Sequence, residues 1–441
     1  SFIFESVEKR RIRGRYTIIG ADPDKIWEFN GSRICLLQNN RTTVIKKKPY
    51  PFLKKLIEDF NFPLPKGLPK LSSLLVGYFS YDVIRYIEKI PNNCNDDLKI
   101  PDIRLLRPNT LIIYDNLIKK IFFIKNCFGD EKISNYKKYY LRKLEEINSL
   151  KNLSLNNNNN KKNFTRNKSK IKIKSNISKK KFKSIVLKAK EYIKKGDVFQ
   201  VVLSQRFECE ITKSPLEIYK KLRSTNPSPF MFFFNFKDFQ IVGSSPEILV
   251  RLRNNKITIR PIAGTRPRGN NAKKDAFYKK QLLTDQKELA EHLMLLDLGR
   301  NDVGKIAKIN SVKVTEKFKI EKYSHVMHIV SNVEGDFKKK HSLLDAMLAG
   351  FPAGTVTGAP KIRAMEIIDE LEKSKRKMYA GSIGYFSADR NFDTCIALRT
   401  ALIKNNKFYI QSGAGIVADS LPEQEYQETV NKAKALINSL N

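Results

Sequence analysis

The spacing of apolar and polar residues changes character along this chain. From residue 1 to about 150, short apolar runs are broken by Asp, Asn, Gly and Pro, so that RYTIIGADPD, SRICLLQNN, SLLVGYFSYDV and NTLIIYDN each predict a β-strand closed by a turn. YPFLKKLIEDF, lying between them, has helical spacing. Beyond residue 176, SKKKFKSIVLKAKEYIKKGD predicts an amphipathic helix ended by Gly196, and VFQVVLSQRFECEI predicts a long strand. Further strands are predicted at MFFFNFKD, FQIVGSSPEILVRL and KITIRPIAGT. These runs lie too close together for helical crossovers, which predicts an α+β fold of large antiparallel sheets packed together with flanking helices. Residues 151–175 hold Lys, Asn and Ser with almost no apolar anchor, which predicts an exposed or disordered connection. The expected organisation is an N-terminal region over 1–150, a linker over 151–175 and a second domain over 176–441.

Composition narrows the class. A 441-residue chain with 41% hydrophobic residues can bury a substantial core. No apolar run reaches the roughly 18 residues of a membrane span, and SFIFESVEKR lacks the order of a secretory signal, so a cytoplasmic protein with no membrane partner is expected. Cys35, Cys94, Cys127, Cys209 and Cys395 form no CxxC pair, so neither a structural zinc site nor a disulfide framework is indicated. The net charge of +38 raises nucleic acid as a partner. Against that, the excess is spread over every exposed stretch, as in NNNNNKKN and SKKKFK, and no RNA-binding signature accompanies it. No nucleic-acid partner is expected, and a basic nucleic-acid-binding protein is kept as the alternative from another class.

Three stretches bear on chemistry. GAGIVA at 413–418 has the glycine spacing of a dinucleotide loop, but the helix it should open cannot begin until near Pro422, after Asp419 and Ser420. Gly413 and Gly415 then serve instead to let backbone approach a small ligand. The helix beyond carries Glu425, Glu428 and Lys432 in one stripe, and DQKELAEHLMLLDLGRND places Asp285, Glu288, Glu291 and His292 along one side of another. Two helices presenting carboxylates, without soft ligands nearby in sequence, suit a hard cation such as Mg²⁺. A solvated acidic face is the bland reading of each stripe alone. FPAGTVTGAPKIRAM has the wrong spacing for a nucleotide loop, although Pro360 at a first helical turn makes a plausible anion pocket. In YSHVMHIVSNV, alternation puts Ser324, Val326 and His328 on one face. Arg399, inside an apolar strand, needs an anionic partner, which a ligand or a protein carboxylate would supply equally well.

FESVE, GRYTIIG, NPSPFMFFF, GSSPE, PIAGTRPRG, ELAEHLMLLDLGRND, YSHVMHIV, GFPAGTVTGAPKIRAMEII, DTCIALRTA and SGAGIVADSLPEQEYQET together resemble the anthranilate synthase component I family, from Phe4 to Ala435 apart from the Lys/Asn linker. The resemblance implies a chorismate-binding fold and conversion of chorismate and ammonia to anthranilate and pyruvate, the first step of tryptophan biosynthesis. It implies Mg²⁺ held by Glu291 and Glu428, supported by Glu288 and Glu425. Tyr379, Arg399 and Gly415 would meet the enolpyruvyl or pyruvate carboxylate, His328 and Thr355 would assist at the ring, and Thr265 would line the pocket. Gly413 would shape the same wall, Lys432 would stand near the ring carboxylate, and Glu247 would match the acid of related isochorismate-forming enzymes. Water-using relatives carry a lysine base where this chain has Gln200, and many aminodeoxychorismate synthases carry lysine where it has Ala263. Both departures favour anthranilate over the sister products, aminodeoxychorismate and isochorismate or salicylate. With no glutaminase motif in the chain, ammonia would come from a separate glutamine amidotransferase subunit, in a heterotetramer. FESVE and NPSPFM resemble the family's tryptophan feedback site, implicating Glu5, Ser6, Pro229 and Met231. Phe230 stands where tyrosine is common. The same residues could equally pack an interface between halves.

Overall fold

The computed structural model describes residues 1–6, 14–128, 133–156, 172–211, 213–323 and 326–440. Its ladders between strands are antiparallel, and they connect into one α+β assembly with flanking helices. Two long strands organise it. Tyr16–Asn30 and Ile103–Asp115 pair along their length and slip register between Pro23 and Lys25, next to Asp22 at φ +50°. The turn predicted at GADPD is therefore a bulge inside a 15-residue strand, because the apolar alternation resumes beyond it and keeps the ladder going.

From that bend two branches diverge. One runs from Tyr16–Asn30 through Phe2–Glu5, Phe230–Asn235, Gln240–Ser245, Thr400–Lys404 and Lys407–Ile416 to Gln200–Glu210. The other runs from Ile103–Asp115 through Leu74–Phe79, Ser382–Ser387, Phe392–Ile396, Ile248–Arg253 and Lys256–Ile259 to Val326–Asp336. Each branch thus begins with strands from residues 1–150 and continues without a break into strands from residues 176–441. The branches close face to face over a shared core in which Phe2, Phe234 and Ile241 of the first meet Val76, Tyr78 and Ile383 of the second. Rings cross the seam, Tyr78 lying 5.8 Å from Phe236 and Phe4 lying 6.2 Å from Tyr385. Burial of such apolar surface is what holds the layers together.

The predicted strand FQIVGSSPEILVRL is two strands, Gln240–Ser245 and Ile248–Arg253, one in each branch. Pro246 cannot donate to a ladder, and the chain changes branch there. Helices Lys179–Lys194, Lys361–Leu371 and Pro422–Ile437 cover the outer face of Gln200–Glu210 and Lys407–Ile416, burying Phe182, Ile185, Ile367 and Ile416 among Val201 and Leu203. Residues 151–156 of the predicted linker continue the helix Ile133–Asn156, and 157–171 lie outside the described residues. Among the described residues no helix is long and apolar enough to cross a membrane, and the five cysteines are unpaired.

Candidate active site

The two acid-bearing helices meet at the end of strand Gln200–Glu210. Asp285 belongs to the cap of the first, not to its stripe: its side chain accepts from the Lys287 and Glu288 backbone N–H groups and opens helix Gln286–Gly304. The second helix, Pro422–Ile437, has proline in its first turn. Gln200 is buried, and its amide Nε2 donates to Glu291 Oε1 at 2.8 Å. Burial raises the Glu291 pKa; the Gln200 hydrogen bond opposes the rise, and the fields of Glu288 and Glu428 add to it. Burial likewise raises Glu425, against its bond to Ser420 and with the help of Glu428. The carboxylates of the two helices therefore feel one another across the gap.

Each acid has a keeper. Arg266 Nη1 donates to Glu288 Oε1 at 2.7 Å, and Lys432 Nζ lies 2.6 Å from Glu428 Oε1 and 2.9 Å from the Gly413 carbonyl. Among the described residues no three His, Cys, Asp or Glu side chains stand close enough to enclose a metal. The donor chemistry nonetheless fits a hard divalent cation: the ligating atoms of the two helices are carboxylate oxygens, the nearby Gln200 amide oxygen is buried without a partner, and the mutual repulsion felt at Glu291 is relieved by positive charge.

The strand Lys407–Ile416 forms the adjoining wall. A Cβ at Gly415 would lie 2.6 Å from Gln200 Nε2, and one at Gly413 would lie 2.6 Å from the Tyr379 hydroxyl. These glycines admit side chains from neighbouring elements to the cleft, which answers the dinucleotide-like spacing. Tyr379 is buried, and burial raises its pKa, so its hydroxyl is a neutral donor. Beneath it, Arg376 is held by Glu372 and by the carbonyls of Val202 and Val356, with its guanidinium 5.4 Å from the Tyr379 ring.

A second group lies deeper. Glu247, just past the branch-changing Pro246, is buried and accepts a hydrogen bond from Thr355 Oγ1 at 3.1 Å. Burial outweighs that bond, the Ile262 backbone N–H and the field of Arg399, and pushes its pKa up to about 8. His328 Nδ1 is 3.0 Å from the Gly264 carbonyl and 3.1 Å from Thr265 Oγ1. A carbonyl only accepts, so Nδ1 carries the proton and Nε2 keeps its lone pair. Burial lowers the His328 pKa to about 4, so the ring is neutral. Arg399, at φ +47°, makes no ion pair among the described residues, and its field reaches both Glu247 and His328.

The cleft thus gathers Gln200, Glu291, Glu428, Gly413, Gly415, Tyr379 and Lys432 on its acid side, with Glu288 and Glu425 behind. Glu247, Thr355, Thr265, His328 and Arg399 form its inner side, and the field of Lys432 at His328 joins the two. Ser324 lies outside the described residues, whereas Val326 and His328 follow the predicted strand. Lys361, next to Pro360, is committed to Asp302 at 2.8 Å, so the anion pocket predicted there has its cation occupied. Glu5, Ser6, Pro229 and Met231 stand apart: Glu5 and Met231 face each other in register, and Glu5, Ser6 and Pro229 border a separate cavity between the branches. Arg266 and Arg376 escaped the sequence reading. The TRPRG and KSKRK strings carry them, but their partners come from the fold.

The profile of the chorismate-binding enzymes matches residues 1–438. Anthranilate synthase component 1 of Cereibacter sphaeroides is 47% identical over 99% of this chain and 88% of its own length. That of Acetivibrio thermocellus is 42% identical over 100% and 90%. The crystal structure of anthranilate synthase component I from Streptococcus pneumoniae superposes with a TM-score of 0.84 at 37% identity, covering 98% of this chain and 94% of that one. The menaquinone-specific isochorismate synthase of Escherichia coli, at 19% identity and TM-score 0.73 over 100% and 88%, shares the fold.

Proposed function

The chain belongs to the chorismate-binding enzymes, within them to the lyases of the anthranilate synthase component 1 family, and from that premise we propose that it joins chorismate to ammonia with Mg²⁺ and releases anthranilate and pyruvate. Mg²⁺, when bound, would be held by Glu291 and Glu428 and would supply Lewis-acid polarisation of the ring carboxylate. Arg399 takes the carboxylate at the other end of the substrate, assisted by the Tyr379 hydroxyl and the Gly415 backbone, so the ring is held at both ends. Ammonia enters at C2 while the C4 hydroxyl leaves as water. Glu247 is protonated at neutral pH and gives that hydroxyl its proton. Elimination of pyruvate then removes the C2 proton and restores aromaticity, with neutral His328 placed to assist through Nε2.

The observation that carries the reading is the Gln200–Glu291 contact. A primary amide beside the acid cluster has no lone pair basic enough to activate water, so ammonia, a nucleophile already, is the better co-substrate. Ammonia would reach the cleft from a separate glutamine amidotransferase chain in a cytoplasmic complex. Tryptophan would act at the cavity bordered by Glu5, Ser6 and Pro229, with Met231 behind, by binding one conformational state better than the other.

The test mixes the purified chain with chorismate, Mg²⁺ and ammonium at mildly alkaline pH and follows anthranilate fluorescence, with chromatography of all products. Anthranilate and pyruvate in equal amounts are expected. Isochorismate or aminodeoxychorismate as the main product would overturn the reading of Gln200 and Ala263.

A further inference from the structure

Where the two branches meet they enclose a cavity of about 880 Å³. On the wall from the first branch it is bordered by Glu5, Ser6 and Pro229, which belong to the proposed effector residues. The opposite wall, built on Ile248–Arg253 and the strands after it, presents Arg251, Arg253 and Arg260. Two of these are matched: Arg253 Nη2 meets Asp393 Oδ2 at 2.5 Å, and Arg260 Nη2 donates to Glu316 at 3.1 Å and Glu321 at 2.8 Å. Arg251 is not. Among the described residues it makes no hydrogen bond or ion pair, although Asp393 lies across the ladder from it. Asp393 gives one oxygen to Arg253, and its other, Oδ1, is buried without a partner that Arg251 could be.

Burial lowers the Arg251 pKa; the field of Asp393 opposes the fall, the fields of Arg253 and Arg260 add to it, and the group stays charged. A half-buried cation whose nearest carboxylate, Asp393, is hydrogen-bonded to Arg253 instead keeps its donors open, and a guanidinium fork matches carboxylate or phosphate with two parallel hydrogen bonds. The hydroxyl of Thr258, opposite Arg251 in register, and the amide of Asn332 border the same space. We propose that this wall of the cavity holds an anion subsite, centred on Arg251 and distinct from the effector residues on the facing wall, that takes a small carboxylate or a phosphate group. The proposal rests on the effector reading only in what it names on the facing wall and in the tryptophan arm of its test.

The experiment measures the Tm of the full chain at constant ionic strength while chloride is exchanged for inorganic phosphate or for succinate. Each titration is run with and without tryptophan, on wild type and on Arg251→Gln. The expected result is a saturable rise of roughly 2–4 °C in wild type, absent in the variant and unchanged by tryptophan. Response to phosphate alone or to succinate alone supports the subsite and names its anion. An equal rise in Arg251→Gln, or a rise that never saturates in wild type, is general salting and overturns the proposal. The saturation criterion needs no variant, so it decides even if Arg251→Gln does not fold. Loss of the anion response when tryptophan is present means that the amino acid's own carboxylate occupies Arg251, which also overturns a separate subsite. If tryptophan alone moves nothing while the anion response persists, the effector reading fails and the subsite stands.

Discussion

Glu291 and Glu247 are the same residue type on opposite sides of one cleft, and their surroundings give them opposite chemistry. At Glu291 an amide donor and a neighbouring ring of carboxylates favour a cation. At Glu247 no other acid among the described residues adds its field, and burial alone favours the proton. Loss of water raises both acids; at Glu291 the fields of Glu288 and Glu428 add to it and the Gln200 bond opposes it, whereas at Glu247 no carboxylate field adds to it. A carboxylate's role in this cleft is therefore read from what surrounds it, and in the proposed reaction the two helical stripes would hold the metal while the acid after Pro246 would give the proton.

The sharpest way to break the contrast is to remove the ionic oxygen on the acid side. Glu291→Gln or Glu428→Gln is expected to lower kcat/KM by on the order of 10³-fold or more at fixed Mg²⁺, with the far-UV circular dichroism unchanged; wild-type turnover at limiting Mg²⁺ would discard the assignment. Next is Glu247→Gln, expected to lower kcat by roughly 10²–10³-fold and to erase an alkaline limb. The acid form of Glu247 persists below pH about 8, so wild-type kcat should fall as pH rises through that value. Stability follows the same group. Between the ordinary carboxylate pKa and about 8 the native state holds a proton that the unfolded chain has released, so this group makes stability decline as pH rises through that window. The Tm of Glu247→Gln should therefore gain on wild type from pH 5 to pH 8, and a constant difference would mean that Glu247 is ionised throughout. The smallest effect is expected at the contact between the sides. Gln200→Ala leaves Glu291 without its amide donor and should raise the Mg²⁺ concentration for half-maximal rate by roughly 10-fold, with kcat at saturating Mg²⁺ changed little.

The acid side was legible in the sequence because i, i+3 spacing on a helix is local: Glu288 with Glu291 and Glu425 with Glu428 share a face whatever the rest of the chain does. The glycines were legible by exclusion, since Pro422 opens the helix too late for a dinucleotide loop. The inner side was only partly legible from spacing. Glu247 lies between two apolar runs that read as one strand, and only the change of branch at Pro246 reveals the break. Its hydrogen-bond donors, Thr355 and the Ile262 backbone N–H, come from distant parts of the chain, and nothing local announces them. Arg266 was missed for a similar reason, because the acid it holds sits 22 positions away on a helix that must first dock. The bulge at Pro23 misled the strand count because Asp, Pro and Asp are turn residues in any local reading, and the tertiary ladder overrode them. Periodicity singled out His328 and Arg399, and resemblance named Glu247, Thr265 and Thr355, which periodicity could not.

Strand Phe2–Glu5 is not at an edge. It lies between Tyr16–Asn30 and Phe230–Asn235, with Phe2 opposite Gly20 on one side and Phe234 on the other. During synthesis its second partner leaves the ribosome only after more than half of the chain, so until then the nascent protein carries an aromatic strand with one open hydrogen-bonding side. Severing the chain in the Lys/Asn-rich stretch at 157–171 would leave the same problem in both pieces, each holding strands whose mates are on the other. Co-expressed halves would have to find each other through a continuous ladder, so this enzyme is a poor subject for dissection into fragments and a demanding client for chaperones.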